Sequence, residues 1–335
     1  MQVYELRNRT GPEALTLTER NDPQPGAEQV LVSMRAVSLN YRDLLVINNH
    51  LYPNARLPLI PLSDGVGEVV AVGENVTRVK LGDRVAGIFD QNWLLGDLPK
   101  QSLTLGGDMD GVLAQYVVLH QDGVVRVPEH LTDEEAATLP CAAVTAWNAL
   151  MMQGALQPGA TVLVQGTGGV SLFALQFAHL AGARVIVTSS SDEKLERARR
   201  LGADETINYK RTPDWDNEVL KLTDGKGVDY VVEVGGAGTL LRSLNAVRAG
   251  GQISLIGILS GISTELFIPT MLMKQIRVQG IYVGSRLAFE RMNSAIDLHK
   301  LKPVVDRVFP FEDALESFRY MEKGGGHMGK ICVRF

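Results

Sequence analysis

The turn Gly166-Thr167-Gly168-Gly169-Val170-Ser171 carries the clearest chemistry in the chain. It follows the apolar run Thr161–Gln165 and opens a helical pattern over Val170–Ala181. Gly166 suits a sharp reversal, Gly168 a close approach of backbone to a ligand, and Gly169 adds freedom. Unpaired amides at the start of the next helix then face negative charge, so the turn suits a dinucleotide pyrophosphate. The third position of the pattern is Ser171 in place of glycine, and serine is small enough to fit. An isolated glycine-rich turn reads equally well as a flexible loop. The strand before, the helix after and the β-α series downstream favour the dinucleotide.

The end of the second strand of that series, Arg184–Thr188, bears on which dinucleotide. Enzymes that take NAD place an acid there, about 20 residues past the glycines, for the ribose hydroxyls. This chain has Ser189 and Ser190, whose hydroxyls donate where a carboxylate would repel a 2′-phosphate. Lys194 follows in the next helix and could supply a cation. NADP(H) is therefore the preferred cofactor, with NAD(H) also admitted.

The elements that must position these residues fall into two groups. Strand-like runs at Val30–Val37, Gly65–Val72, Lys80–Ala86, Val117–Leu119 and Val124–Val127 suggest a barrel-like β domain. Gln91–Asp110 lacks periodicity and reads as a long surface loop. From Thr161 the rhythm alternates strand and helix. Gly182 ends the first helix, a Ser190–Glu193 capping box starts the second, and Gly202 ends that. Further buried strands are expected at Val228–Val234, Gln252–Ile256 and Arg277–Val283. A helix at Phe311–Lys323 and a strand at Lys330–Arg334 then return to the first domain. The expected fold class is α/β, with a doubly wound parallel Rossmann sheet beside a β-rich domain. A net charge of -5 without a basic cluster argues against nucleic acid. The chain shows no run of about 18 apolar residues, which argues against a membrane span. Two cysteines and no signal-like start give a cytoplasmic expectation.

Several motifs, in order along nearly the whole chain, resemble the medium-chain dehydrogenase/reductase superfamily in its zinc-independent, quinone oxidoreductase-like branch. They are Asn40-Tyr41-Arg42-Asp43 with Tyr52-Pro53, Pro61 to Val70, Gly73, Gly82-Asp83-Arg84-Val85 and Ala136 to Pro140. The glycine turn, Leu201-Gly202-Ala203-Asp204 and Gly329-Lys330 complete the set. The resemblance implies a GroES-like catalytic domain over residues 1–125 and 287–335. A Rossmann domain over 126–286 would be inserted between these segments, with the nicotinamide in the cleft. It implies a 2′-phosphate contact for Lys194 and Tyr209, and nicotinamide-lining roles for Ile256, Gly257, Val283 and Gly284. With Thr145, these make up the expected cofactor-binding set. It also implies a homodimer paired through the strand around Arg277–Val283.

Zinc-containing relatives carry metal ligands at positions matching Asn40, Ser63 and Cys141. An amide and a hydroxyl are poor zinc ligands, and one thiol does not hold the metal, so no metal is expected. Without a Lewis acid, oxidation of a simple alcohol lacks stabilisation of the alkoxide. Hydride transfer to an enone or quinone needs only donors for the enolate and a proton. Asn40 is the candidate donor to the carbonyl oxygen, and Tyr41 and Tyr52 are candidate proton donors. Arg42 and Asp43 read as a structural pair. The expected activity is NADPH-dependent reduction of quinones or α,β-unsaturated carbonyls. An alcohol dehydrogenase, an enoyl-thioester reductase and a non-catalytic NADPH-binding sensor are the alternatives.

Overall fold

The computed structural model describes residues 1–53 and 55–335. The chain forms two units, Met1–Val144 with Gly284–Phe335, and Thr145–Val283. In chain order the first segment carries β1 (Gln2–Leu6), β2 (Leu15–Glu19), β3 (Gln29–Ser38), β4 (Asp64–Val72), β5 (Arg84–Gly87), β6 (Tyr116–His120) and β7 (Val124–Arg126). The second unit carries β8 (Thr161–Gln165), β9 (Arg184–Ser189), β10 (Glu205–Asn208), β11 (Val228–Glu233), β12 (Val247–Leu255) and β13 (Arg277–Gly280). The tail adds β14 (Val305–Pro310) and β15 (Lys330–Arg334).

β8 to β13 form one parallel sheet in the order β10-β9-β8-β11-β12-β13, the doubly wound arrangement that the β-α rhythm implies. Its central strands are covered on both faces, so they read as unbroken apolar runs: Val162, Leu163 and Val164 of β8 are each 0% exposed. The first unit builds a sheet in the order β14-β15-β3-β4-β5-β7, with β6 also on β3. Its core joins Leu6, Ile47, Leu62, Leu105 and Leu113 to Phe318 of the helix Ala314–Glu322, so the tail does return to this unit. β15 pairs antiparallel with β3, Cys332 facing Ser38.

Several expectations need correction. Residues 126–144 belong with the first unit. Thr132 caps a helix at Asp133–Ala137 that packs on β3 and β4, and Glu134 accepts from Arg334. The change of rhythm at Thr161 marks the first parallel strand, not the unit boundary. At the other end the boundary lies between Val283 and Gly284. Ser285 caps a helix at Arg286–His299 that the sequence pattern missed. That helix is tied to the first unit by Asn293 Nδ2, which donates to Arg126 O at 2.9 Å. β13 stops at Gly280, not Val283. The second helix is capped by Ser191 rather than Ser190, with Lys194 N donating to its hydroxyl. β9 runs through Ser189, which leaves Ser191 as the first residue able to reach an amide three positions on. The segment Gln91–Asp110 has no regular element, yet Trp93 and Leu105 are buried in it, so it is less of a surface loop than expected. Among the described residues no helix is long and apolar enough to cross a membrane.

Candidate active site

The residues expected to meet a nucleotide sit at or just beyond the C-terminal ends of the parallel strands. Gly166 turns the chain after β8 with φ +74°, a conformation that favours glycine. Gly168 caps the helix Gly169–Leu180 with no side-chain hydrogen bond to the first turn, so Gly169 and Val170 begin an uncapped N-terminus. A Cβ on Gly168 would meet nothing within 4 Å, so packing within the protein does not require glycine there. Open space in front of bare amides fits a pyrophosphate. Ser171 occupies the third pattern position for a specific reason: its buried hydroxyl donates to Gln165 O at 2.7 Å and ties helix to strand. Thr167 is buried in the same turn.

Ser189 ends β9 and Ser190 follows it, Tyr209 follows β10, and Lys194 lies in the first turn of the helix Asp192–Arg200. Asn208 is in register with Ser189, and Tyr209 N donates to Ser189 O at 3.0 Å. Ser189 is only 3% exposed, Ser190 is half-buried, and Tyr209 is exposed. Asp192 in the first turn of the following helix pairs with Arg211, a cation beside this rim that the sequence reading passed over.

A third group centres on a residue not singled out from sequence. Glu233 ends β11 and is 0% exposed. Its Oε1 accepts from Gly235 N at 2.8 Å, Gly236 N at 3.0 Å and Thr239 Oγ1 at 2.5 Å. Its Oε2 accepts from Gln165 Nε2 at 2.7 Å and from Ser243 Oγ. The carboxylate thereby holds the loop after β11. That loop holds the segment after β12, because Ser260 N donates to Gly235 O and Ala237 N to Gly261 O. The amides of Ile256 and Gly257 both donate to Glu233 O. Gly257 is irreplaceable for steric reasons, since a Cβ would fall 2.2 Å from Val234 O. Thr145 is buried in the helix Val144–Trp147. Val283 has φ +31°, a costly conformation for a β-branched residue, and Asn148 Nδ2 donates to its carbonyl at 2.8 Å. Gly284 is the first residue of the other unit.

The remaining candidates lie in the first unit. Asn40 precedes the helix Tyr41–Ile47 as its N-cap, and Asn40 N donates to Asp43 Oδ2 at 2.7 Å. Tyr41, the first residue of that helix, is 46% exposed. Tyr52 follows the helix at φ +53°, beneath the guanidinium of Arg42, whose central carbon lies 5.1 Å from its ring. Arg42 also covers Phe89 and donates from Nη1 to Asp43 Oδ1 at 3.2 Å and to Leu105 O at 3.0 Å. Arg42 and Asp43 are thus the structural pair expected.

The positions matching zinc ligands carry other work. Ser63 donates to Asp64 Oδ1 at 2.7 Å, and Cys141 N donates to Asp64 Oδ2 at 3.0 Å. Lys330, at the start of β15 and 4% exposed, reaches Asn40 Oδ1 at 2.6 Å and also donates to Leu39 O. Two carboxylates, a guanidinium and an ammonium therefore share one buried cluster. Burial raises Asp43 to about 6, while Arg42 and the Asn40 amide pull it down. Burial also raises Asp64, against the pull of Lys330, Ser63 and Asn40. Burial, with Asp64 beside it, pushes the Cys141 thiol far above its usual range, so it is a poor nucleophile. Among the described residues no group of three or more His, Cys, Asp or Glu is arranged to hold a metal ion.

Residues 26–129 match the family model described as the alcohol dehydrogenase GroES-like domain, and residues 169–300 match that of the zinc-binding dehydrogenases. A zinc-type alcohol dehydrogenase-like protein of Schizosaccharomyces pombe is 46% identical over 316 residues, covering 91% of this chain and 90% of that protein. The crystal structure of an NAD-dependent alcohol dehydrogenase superposes with a TM-score of 0.94 at 36% identity, covering 100% of both chains. A quinone oxidoreductase of Pseudomonas syringae pv. Tomato DC3000 superposes with a TM-score of 0.84 at 28% identity, covering 100% of this chain and 99% of that one. A Rossmann-like sheet with a glycine turn after its first strand, a GroES-like unit and relatives of this similarity over nine-tenths or more of the chain have one reading: the chain belongs to the medium-chain dehydrogenase/reductase family of oxidoreductases.

Proposed function

We propose that this oxidoreductase works without zinc and reduces quinones or α,β-unsaturated carbonyls with NADPH. The observation that carries the reading is the cation already in the cluster: Lys330 Nζ lies 2.6 Å from Asn40 Oδ1, and the other two ligand positions are Ser63 and Cys141. A divalent ion bound to Asn40 Oδ1 would sit against a fixed positive charge. An amide, a hydroxyl and a single thiol are a weak donor set for zinc. The zinc named in the yeast relative is therefore not carried over.

Reduced nicotinamide supplies a hydride when bound. The protein's part is to hold the cofactor and to meet the charge that develops on the substrate oxygen. Gly166, Thr167, Gly168, Gly169 and Val170 suit the pyrophosphate, and Ser189, Ser190, Lys194 and Tyr209 suit the 2′-phosphate. Thr145, Ile256, Gly257, Val283 and Gly284 are proposed for the nicotinamide end. Asn40 is the proposed donor to the carbonyl oxygen. Tyr41, whose phenol is exposed, is a better source of the proton than Tyr52, which lies against Arg42. NAD(H) stands second, and the NAD named in one structural relative belongs to that protein.

The parallel sheet ends in β13, a four-residue edge. The adjoining helix Ile268–Lys274 exposes Ile268, Leu272 and Met273. An open edge beside an apolar helix is a surface that proteins cover, which supports a homodimer. Cytoplasmic residence, a small-molecule substrate and the lack of nucleic-acid or membrane partners complete the proposal.

Oxidation of NADPH and NADH against quinones, enones, aldehydes and enoyl thioesters, with elemental analysis, tests the reading. The expected result is quinone or enone turnover that prefers NADPH, resists chelators and comes without stoichiometric zinc. Chelator-sensitive turnover of alcohols or aldehydes with about one zinc per chain would overturn it.

A further inference from the structure

Lys330 is a lysine with almost no contact with water, and its place follows from the chain around it. Gly329 has φ +86°, and a Cβ there would fall 2.2 Å from Val304 O, so only glycine lets the two backbones close up. Lys330 N then donates to Val304 O at 3.0 Å, in register with β14, while Leu39 N donates to Ile331 O on the other side. The side chain of Lys330 is thereby delivered to the end of β3, where its ammonium meets Leu39 O and Asn40 Oδ1. Burying an ammonium costs several kcal/mol unless it is hydrogen-bonded and its charge is balanced. The hydrogen bonds come from Leu39 and Asn40, and the balance from Asp64 and Asp43 in the same cluster.

The chemistry of this contact fixes the Asn40 amide. An ammonium has three donors and no acceptor, so only the oxygen of an amide can face it. Asn40 Oδ1 is committed to Lys330, and Nδ2 is left as the buried end, with no hydrogen bond of ordinary geometry among the described residues. Asp64 draws Nδ2 from the other side, and without the ammonium that pull and the capping contact with Asp43 N would be all that orients the amide.

We propose that Lys330 is a positioning residue for the reduction: by holding Asn40 Oδ1 it keeps Nδ2 as the atom that serves the substrate's carbonyl oxygen. This rests on the proposed role of Asn40 as that donor. Lys330 touches neither substrate nor cofactor in this scheme, and it acts only through Asn40.

The test is a double-mutant cycle on the full-length protein, with kcat, KM and NADPH Kd measured for Lys330→Met, Asn40→Ala and the double variant. The probes are 2-cyclohexenone and duroquinone. Loss of one preorganised donor is expected to lower kcat about a hundred- to a thousandfold. Lys330→Met should show a loss of similar size, with NADPH Kd unchanged. The double variant should be no worse than the more impaired single variant, because both remove the same interaction. Lys330→Gln, which can still donate to Asn40 Oδ1, should recover most of kcat. A Lys330→Met variant with wild-type kcat, where Asn40→Ala is impaired, would overturn the positioning role and leave the role of Asn40 intact. Multiplicative losses in the double variant would overturn it as well. If Asn40→Ala is unimpaired, or neither probe is turned over, the reading of Asn40 fails and this one falls with it. Should Lys330→Met not fold, Lys330→Gln decides: wild-type melting with kcat reduced as far as in Asn40→Ala refutes positioning, and near-wild-type kcat supports it.

Discussion

Replacing Glu233 tests whether one buried carboxylate organises the loops after β11 and β12. Glu233→Ala removes the acceptor for Gly235 N, Gly236 N, Thr239 Oγ1, Ser243 Oγ and Gln165 Nε2. Each buried donor left unpaired costs about 1–3 kcal/mol. The two hydroxyls can rotate to other acceptors, as Thr239 Oγ1 already lies 3.4 Å from Gly236 O, so the sum is smaller than five full penalties. A net loss of about 3–5 kcal/mol is expected, a large share of the stability of an ordinary domain.

Glu233→Gln should behave quite differently. Oε1 faces two backbone N–H groups, so the new amide must keep its oxygen there and turn its nitrogen toward Gln165 and Ser243. Gln165 can accept that nitrogen by turning over, because its own Oε1 is buried and has no hydrogen bond among the described residues. Ser243 can accept as well. The loss should then be about 1–2 kcal/mol, the difference between charge-assisted and neutral hydrogen bonds. Denaturant midpoints of the three proteins measure this, and cofactor titration reads the loop. Glu233→Ala should also weaken NADPH binding, since Ile256 and Gly257 hang on the same residue. Equal damage from both substitutions would refute the network argument, because its distinctive claim is that Gln165 can adapt.

Gly168→Ala should leave melting unchanged while weakening NADPH at least about tenfold, because the added methyl meets only space intended for the ligand. Unchanged affinity would show that no phosphate lies there. Lys194→Ala should weaken NADPH about tenfold and NADH hardly at all, in line with a partly screened charge-assisted contact; equal weakening of both would make the lysine structural. Asp43 supplies a pH test. Its folded pKa is raised from 3.8 to about 6, so its contribution to stability is fully present below about 4 and is lost as pH rises through about 6. Asp43→Asn lacks that titration. The stability of wild type minus variant should therefore fall between about pH 4 and 6 and stay flat above, and a difference constant across that window would refute the burial argument.

How much of this was legible in the sequence depends on how local each cause is. The glycine turn, the apolar strand before it and the serine run after β9 are decided by neighbours within a few residues, and they stand where the pattern put them. The boundary near Val144 was not legible, because helix Asp133–Ala137 joins the first unit through contacts with β3, β4 and the far tail. The strand β10 and the helices Trp215–Leu222 and Leu240–Ala246 are short, which leaves little periodicity to read. The positive φ values of Tyr52 and Val283 have no sequence signature at all, since both residue types normally avoid that region.

The charged residues show the same division more sharply. Glu233 does leave a trace: an acid directly after Val231 and Val232 is out of place on a covered strand unless donors await it. Lys330 leaves less, because a lysine opening a strand is ordinary, and its partner Asn40 lies 290 residues away. The residue types at Asn40, Ser63 and Cys141, taken one at a time, say nothing of the ammonium that lies beside them. Two carboxylates as deeply buried as Asp43 and Asp64 require positive charge nearby, whatever the donor set. Once the zinc positions are seen to be weak, that requirement predicts a resident cation, and only the register of β15 against β3 identifies it as Lys330 rather than any other lysine of the tail.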